Sequence, residues 1–409
     1  MNCRFCEKPL NHEFIDLVNA PPSNAFLTRE QLNEPEVFYP LKLFVCDACF
    51  LVQIDEYKNS QDIFNAGYAY FSSFSTTWLL HAKNYVDMMV DRFGYGSGSQ
   101  IVEIASNDGY LLQYFQEKGI PALGIEPAEG TAAVARQKGI ETMGEFFGRR
   151  LAQRLADQGR KADLLIGNNV LAHVPDLHDF VAGLKIALKP QGIITMEFPH
   201  LMRLVDDCLF DIIYHEHFSY LSFMTVRSIF RHHGLELFDV EELPTQGGSL
   251  RIFARHMEDS TKTVSGNVST RLEKELFKGL NTVAYYENFQ ERADQIKYNL
   301  LKFLIEKREA GQKVAAYGAA AKGNTLLNYC GIRKDLLPFV VDLSPHKQGK
   351  YLPCSHIKVV GEAEIRQYQP DYILILPWNI KEEIMAQLDY IRAWGGKFVV
   401  PIPQVQVIP

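Results

Sequence analysis

Ile101-Val102-Glu103-Ile104-Ala105-Ser106-Asn107-Asp108-Gly109-Tyr110 reads as a buried strand carrying an acid near its end, followed by a tight polar turn. The amphipathic segment Tyr110-Leu111-Leu112-Gln113-Tyr114-Phe115 comes next and supplies the start of a helix. A parallel strand that enters a helix through a small-residue turn is where open α/β sheets bind nucleotides, in the crevice beyond the strand's carboxyl end. Further on, Leu123-Gly124-Ile125-Glu126-Pro127 gives a second short strand closed by a carboxylate, which can accept both hydroxyls of a ribose. The turn lacks the full glycine set of a dinucleotide fingerprint, so NAD is disfavoured.

Working outward, strand and helix patterns alternate, with strands expected over 101–105, 122–126, 162–168 and 192–198. That alternation implies an α/β fold with a mostly parallel sheet covered on both faces. The third of these strands ends in Asn168-Asn169 and is followed by His173. A helix is expected over 177–188, then the turn Lys189-Pro190-Gln191-Gly192 and a further strand. This order resembles a class I S-adenosylmethionine (SAM)-dependent methyltransferase. The resemblance implies a cofactor site made of Glu103, Ala105, Asn107, Asp108, Glu126, Pro127, Asn168 and Asn169, with Glu145 and Phe146 at the adenine. The departure is Ala105-Ser106-Asn107 where glycines are usual.

The length of 409 residues exceeds one ordinary core, so two or three domains are expected. A net charge of −7 without a basic block argues against nucleic acid or an anionic membrane as partner. No run approaches the ~18 apolar residues of a membrane span, and the start has no apolar leader pattern. A cytoplasmic protein with reduced thiols is expected. Four of its seven cysteines form Cys3-x-x-Cys6 and Cys46-x-x-Cys49. Two such pairs can bring four thiolates onto Zn²⁺, and a site filled by four cysteines leaves no open position for catalysis. The metal is therefore expected to be structural.

Before the first sheet lies Gly67-Tyr68-Ala69-Tyr70-Phe71-Ser72-Ser73-Phe74, read as a pocket wall, with Ser75, Thr76 or Thr77 as the cap of a following helix. After the last parallel strand comes Tyr214-His215-Glu216-His217-Phe218. With His173 and His200 this places four histidines on segments leaving one sheet edge, suited to metal ligation or to proton transfer.

The C-terminal part repeats the opening theme. Gln246-Gly247-Gly248-Ser249-Leu250-Arg251 reads as the closing strand of the first sheet, with Arg251 toward substrate. Helical patterns over 265–282 and 286–310 suggest a connector. Then Tyr317-Gly318-Ala319-Ala320-Ala321-Lys322-Gly323-Asn324 forms a second strand–turn–helix, where backbone amides and Lys322 would meet phosphate. Asp342 and Lys347 lie on a further polar loop of this second, smaller Rossmann-like domain. The expected domains are a zinc-binding domain over 1–62, a SAM-binding domain over 63–255, a connector over 256–311 and a sugar-nucleotide domain over 312–409.

Taken together, the two cysteine pairs, Tyr-x-Tyr-x-Ser-Ser, the methyltransferase order and Tyr-x-Glu-His resemble the sugar C-methyltransferases, across essentially the whole chain. These act on nucleotide-linked 4-ketosugars. The resemblance implies zinc on Cys3, Cys6, Cys46 and Cys49, His217 as base with Tyr214 and Glu216 beside it, and His173 and Tyr70 as further active-site groups. It also implies a substrate, expected to be linked to thymidine diphosphate, met by Tyr68, Ser72, His200, Arg251, Gly318, Lys322, Asn324, Asp342 and Lys347. Carbon methylation at C3, beside the keto group, is the expected reaction. Two other readings compete: an NAD- or metal-dependent oxidoreductase or hydrolase built on His173, His215 and His217, and a zinc-containing SAM-binding protein without turnover. Monomer and homodimer both stay open.

Overall fold

The computed structural model describes residues 1–57 and 71–409. Near the start, β1 (His12–Ala20) neighbours β2 (Tyr39–Val45), and β3 (Val52–Ile54) follows. The chain divides into two compact units: Met1–His12, Val45–Met202 and His217–Tyr285 in one, Glu13–Phe44, Arg203–Glu216 and Tyr286–Pro409 in the other.

The first unit is built on seven strands: β4 (Ile101–Ile104), β5 (Ala122–Ile125), β6 (Glu141–Met143), β7 (Ala162–Asn168), β8 (Leu188–Pro199), β10 (Leu235–Leu243) and β11 (Ser249–His256). Their spatial order is β10-β11-β8-β7-β4-β5-β6. The short β9 (Ser219–Tyr220) pairs antiparallel with β3. β4 is buried at every position, as a strand covered on both faces must be. β4 pairs in parallel with β5 and with β7, while β11 runs antiparallel to both β8 and β10. The order therefore reverses between β4 and β7, and the crevice opens at their carboxyl ends.

Local chemistry sets these elements. Ser75, one of the three expected caps, accepts the Trp78 amide at 3.2 Å and starts the helix Thr76–Phe93. Asp176 does the same for the helix Leu177–Ala187 through Asp179. The Lys189-Pro190-Gln191-Gly192 turn differs from expectation, because it is drawn into β8. Ala162 pairs with Leu188 and Leu164 with Ile193, so the extra residues are absorbed as an irregularity in the ladder.

The second unit carries β12 (Val314–Tyr317), β13 (Phe339–Val341), β14 (Lys358–Val360), β15 (Tyr372–Ile375), β16 (Lys397–Val400) and β17 (Gln406–Ile408), in the order β14-β13-β12-β15-β16-β17. All pair in parallel except β17. The expected connector is divided between the units. The helix Gly266–Lys278 belongs to the first, where Glu275 accepts the Phe223 and Met224 amides at 2.6 and 2.8 Å and so caps the helix Phe223–His232. The helix Phe289–Glu309 belongs to the second and buries Phe289, Ala293, Ile296, Leu300 and Leu304, a stripe at helical spacing. Residues 13–44, expected in the zinc-binding domain, group with the second unit.

Candidate active site and zinc centre

The turn after β4 takes a glycine-type path with few glycines. Ala105, Asn107 and Gly109 all have left-handed backbones, at φ 56°, 50° and 74°. An L-residue pays about 1–2 kcal/mol for that conformation, with Asn the least disfavoured after Gly. Tertiary contacts hold the turn in place. The Asn107 amide donates to Glu126 at 2.9 Å, and the Asn107 side-chain oxygen accepts the Ser72 amide at 2.9 Å. Ser73 donates to Asp108 through its hydroxyl, and Lys138 donates to the Asp108 carbonyl at 2.8 Å. Gly124, alongside on β5, has no room for a side chain: a Cβ there would lie 2.4 Å from Ser106 Oγ. Replacing Ala105 with glycine is therefore expected to stabilise the fold slightly, by about 0.5–1 kcal/mol after the entropy cost of glycine. A denaturation midpoint that falls instead would show that the left-handed path at 105 carries no strain.

A cleft of about 1000 Å³ of empty space opens over this turn. Ser72, Trp78, Ala105, Asn107, Glu126, Pro127, Glu145, Phe146, Asn168, Asn169 and His173 are among its walls. Every expected cofactor residue except two thus lines one cavity. Asp108 is tied under the turn, and Glu103 is fully buried. Burial raises the Glu103 carboxyl well above the usual range, with the Tyr110 hydroxyl acting the other way.

Glu126 is nearly buried, and burial raises its pKa against the opposing pull of the Ala128 and Asn107 amides. Each carboxylate oxygen accepts one amide, Ala128 at 2.8 Å and Asn107 at 2.9 Å. Thr131 also contacts this carboxylate, which is itself a wall of the cleft. Glu145 is ion-paired with Arg154, which holds it at the rim. Trp78 stacks on His81 and on Tyr110 at ring separations of 4.9 and 5.9 Å. Its place in the wall was not legible in the sequence, because helix position alone does not tell that a tryptophan lines a cleft.

The histidines separate. His173 lines the cleft, and its ring lies 4.6 Å from that of His217, which in turn lies 6.0 Å from Tyr220. His200 is ion-paired with Glu275 at 2.6 Å, both side chains being buried. His215 bonds to the Pro40 carbonyl at 3.1 Å and meets Tyr39 edge-on. Asn24 donates from its side-chain nitrogen to the two Glu216 oxygens, at 2.8 and 3.0 Å. Tyr214 follows the short helical turn Phe210–Ile212 and is partly buried. Tyr68 and Tyr70 lie outside the described residues. The metal-ligand reading of His173, His215 and His217 is corrected here. Among the described residues the groups spaced to hold a metal are the four cysteines and His178, His232 and His233.

Arg251 is also placed differently from expectation. It bonds Glu197 at 2.9 Å and Glu241 at 3.1 Å and lies over the Tyr85 ring. Burial acts to raise the Glu197 carboxyl, but His81 and Arg251 outweigh it and hold it low. This network fixes the antiparallel edge of the first sheet. In the second unit, Gly318 has φ 92°, and a Cβ there would sit 2.3 Å from Pro377. Asp342 accepts the Ala319 and Ser344 amides at 2.8 Å each, and Lys347 donates to the Ala319 carbonyl at 2.9 Å. A carboxylate from the neighbouring loop thus occupies one amide of the turn. Lys322 is buried, donates to Asn379 at 2.6 Å and faces Asp211. Burial lowers it to about 8 against the pull of Asp211. Asn324 donates to the Ser23 carbonyl at 2.6 Å.

The four cysteines converge in the first unit. Cys3 and Cys49 sulfurs are 3.5 Å apart, Cys6 and Cys46 3.4 Å, and all lie within 4.8 Å of one another. A tetrahedron of zinc–sulfur bonds has sulfur–sulfur edges of about 3.8 Å, so the set fits the ion with small adjustment. Gln53 donates to Cys3 at 3.2 Å and accepts the Arg4 amide at 2.8 Å, an outer contact that orients the ligand.

A reversed hairpin edge on a parallel sheet, with a carboxylate-closed cleft at the switch point, defines a class I SAM-dependent methyltransferase. Family descriptions match in three consecutive pieces: a zinc binding domain over residues 3–64, a methyltransferase domain over 78–240 and a C-methyltransferase C-terminal domain over 244–403. The chain is 32% identical to C-methyltransferase NovU of Streptomyces niveus, over 99% of this chain and 96% of NovU. It is 26% identical to a ubiquinone biosynthesis O-methyltransferase of Bartonella bacilliformis, over 29% of this chain and 50% of that protein. Magnesium protoporphyrin IX methyltransferase from Synechocystis, solved with SAM, is 17% identical over 43% of this chain and 78% of that one, with a TM-score of 0.33. The chain belongs to the C-methyltransferase family. Its cofactor is SAM, and its four-cysteine centre is a zinc site.

Proposed function

We propose that this enzyme methylates the carbon beside the keto group of a nucleotide-linked 4-ketosugar, C3 being the expected position and thymidine diphosphate the expected carrier. The supporting observation is the His173–His217 pair, with ring centroids 4.6 Å apart and His173 on the wall of the cofactor cleft. A carbon bonded to hydrogen must lose a proton before it can accept a methyl, and a neighbouring ketone makes that proton removable. His217 is 7% exposed, so a proton taken there leaves in a water-poor setting. His173 can then donate to the enolate oxygen. Bound SAM supplies a methyl already activated by its positive sulfur. Asn24 holds Glu216, which fixes the backbone next to His217.

The test is transfer of labelled methyl from SAM over a panel of nucleotide 4-ketosugars and their 4-hydroxy counterparts. Only the keto compounds are expected to turn over. Methylation of an oxygen, or of the 4-hydroxy compounds, sinks the reading. The ribose role of Glu126 has its own check. Glu126→Gln leaves one backbone amide facing an amide hydrogen and removes the charge, a loss of about 1.5–3 kcal/mol. Affinity for S-adenosylhomocysteine is expected to fall roughly 10- to 100-fold by calorimetric titration, with the fold intact; unchanged affinity places the ribose elsewhere.

A further inference from the structure

A third histidine group lies apart from the cleft, and none of the chemistry above uses it. His178 stands at the start of the helix Leu177–Ala187, His232 ends the helix Phe223–His232, and His233 follows it. One ring nitrogen from each lies within 4.8 Å of the others. His178 Nδ1 and His233 Nε2 are 3.1 Å apart, and the rings pack pairwise at 5.0 to 5.2 Å. His178 Nε2 donates to the Phe5 carbonyl at 2.8 Å. This bond fixes the tautomer and leaves the Nδ1 lone pair facing His233. A ring nitrogen tied to a carbonyl, with the other aimed at a cluster of imidazoles, is the usual arrangement of a metal-ligating histidine.

We propose that His178, His232 and His233 form a second metal site, distinct from the four-cysteine centre, for a borderline divalent cation such as Zn²⁺. Metal–nitrogen bonds of about 2.0–2.1 Å set ligand spacings of about 3.3–3.4 Å. The His178–His233 pair is already near that spacing, and His232, which is exposed, closes the set by a side-chain rotation at the surface. Three neutral imidazoles suit zinc, nickel or copper and leave a fourth position for water. Burial and the two neighbouring imidazoles lower His233 to about 4; Arg149 opposes a cation here, and Asp176 favours one. Phe5, between Cys3 and Cys6, stacks on His178 and meets His232 edge-on. A bound ion would therefore fasten the cysteine loop to the ends of two helices of the same unit.

Without metal, the same geometry is a short hydrogen-bonded chain in which His233 Nε2–H donates to His178 Nδ1, and the experiment separates the two. The full-length protein, its cysteine site filled, is titrated with Zn²⁺ and, in parallel, with Co²⁺. A second equivalent is expected to bind, and with Co²⁺ its spectrum should lack the sulfur charge-transfer band that cobalt in a thiolate site shows. His232→Ala, at an exposed helix end where folding is spared, should weaken that second equivalent at least about tenfold, and His178→Ala likewise. One metal per chain in the native protein, or a second ion bound equally by both variants and so adventitious, overturns the proposal.

Discussion

His217→Asn is expected to lower methyl transfer by about 10²- to 10⁴-fold, the range carried by a positioned general base. Asparagine keeps a side chain of similar reach but has no nitrogen that accepts a proton at neutral pH. Binding of S-adenosylhomocysteine should be unchanged, because residue 217 is not among the groups that line the cofactor cleft. Exchange of the C3 proton of the ketosugar with deuterated water should vanish along with transfer. That second readout matters, since a misplaced substrate would slow transfer while some exchange survived. If exchange continues at the native rate in the variant, the base is another group, and His173 at 4.6 Å is the first to examine.

Loss of the four-cysteine metal should have the largest effect on stability. Structural zinc contributes on the order of 10–16 kcal/mol to the folding of small domains, as much as the whole stability of an ordinary protein. Cys46→Ser is expected to lower zinc content by one ion per chain and to expose the amides of residues 1–12 and 45–54 to hydrogen exchange. The consequence should reach the cleft. Arg4, inside the first cysteine pair, donates to the carbonyls of Ile54 and of Pro175 and lies over the Phe218 ring. Pro175 is a wall of the cofactor cleft, and Phe218 adjoins His217. Reduced SAM affinity in the metal-free protein is therefore predicted, although zinc touches no reactant. Native exchange protection in these segments after complete zinc removal would falsify the structural role.

The local patterns that were legible are those governed by neighbours in the chain. Continuous burial of Ile101–Ile104, a hydroxyl cap among Ser75, Thr76 and Thr77, and the two cysteine pairs each follow from short-range chemistry. The turn over 105–109 was legible in place but not in kind, since its left-handed path is imposed by Glu126 and Ser72 from elsewhere in the chain. The histidines show the limit most plainly. Four of them share one expected sheet edge, yet His173 meets His217 ring to ring, while His200 is paired with Glu275 and His215 bonds the Pro40 carbonyl. His178, His232 and His233 form a group that spacing along the chain does not announce.

By itself the sequence determined the alternation of strands and helices, the carboxylate at the end of each of the first two strands, and a tetrathiolate metal centre, because periodicity and ligand spacing are local properties. Which imidazoles face the cleft, which arginine and lysine are consumed by buried partners, and how the helices after 265 divide between two units were decided by tertiary structure. The physical reason is that a buried polar group must find a partner, and in this fold those partners come from segments remote in sequence.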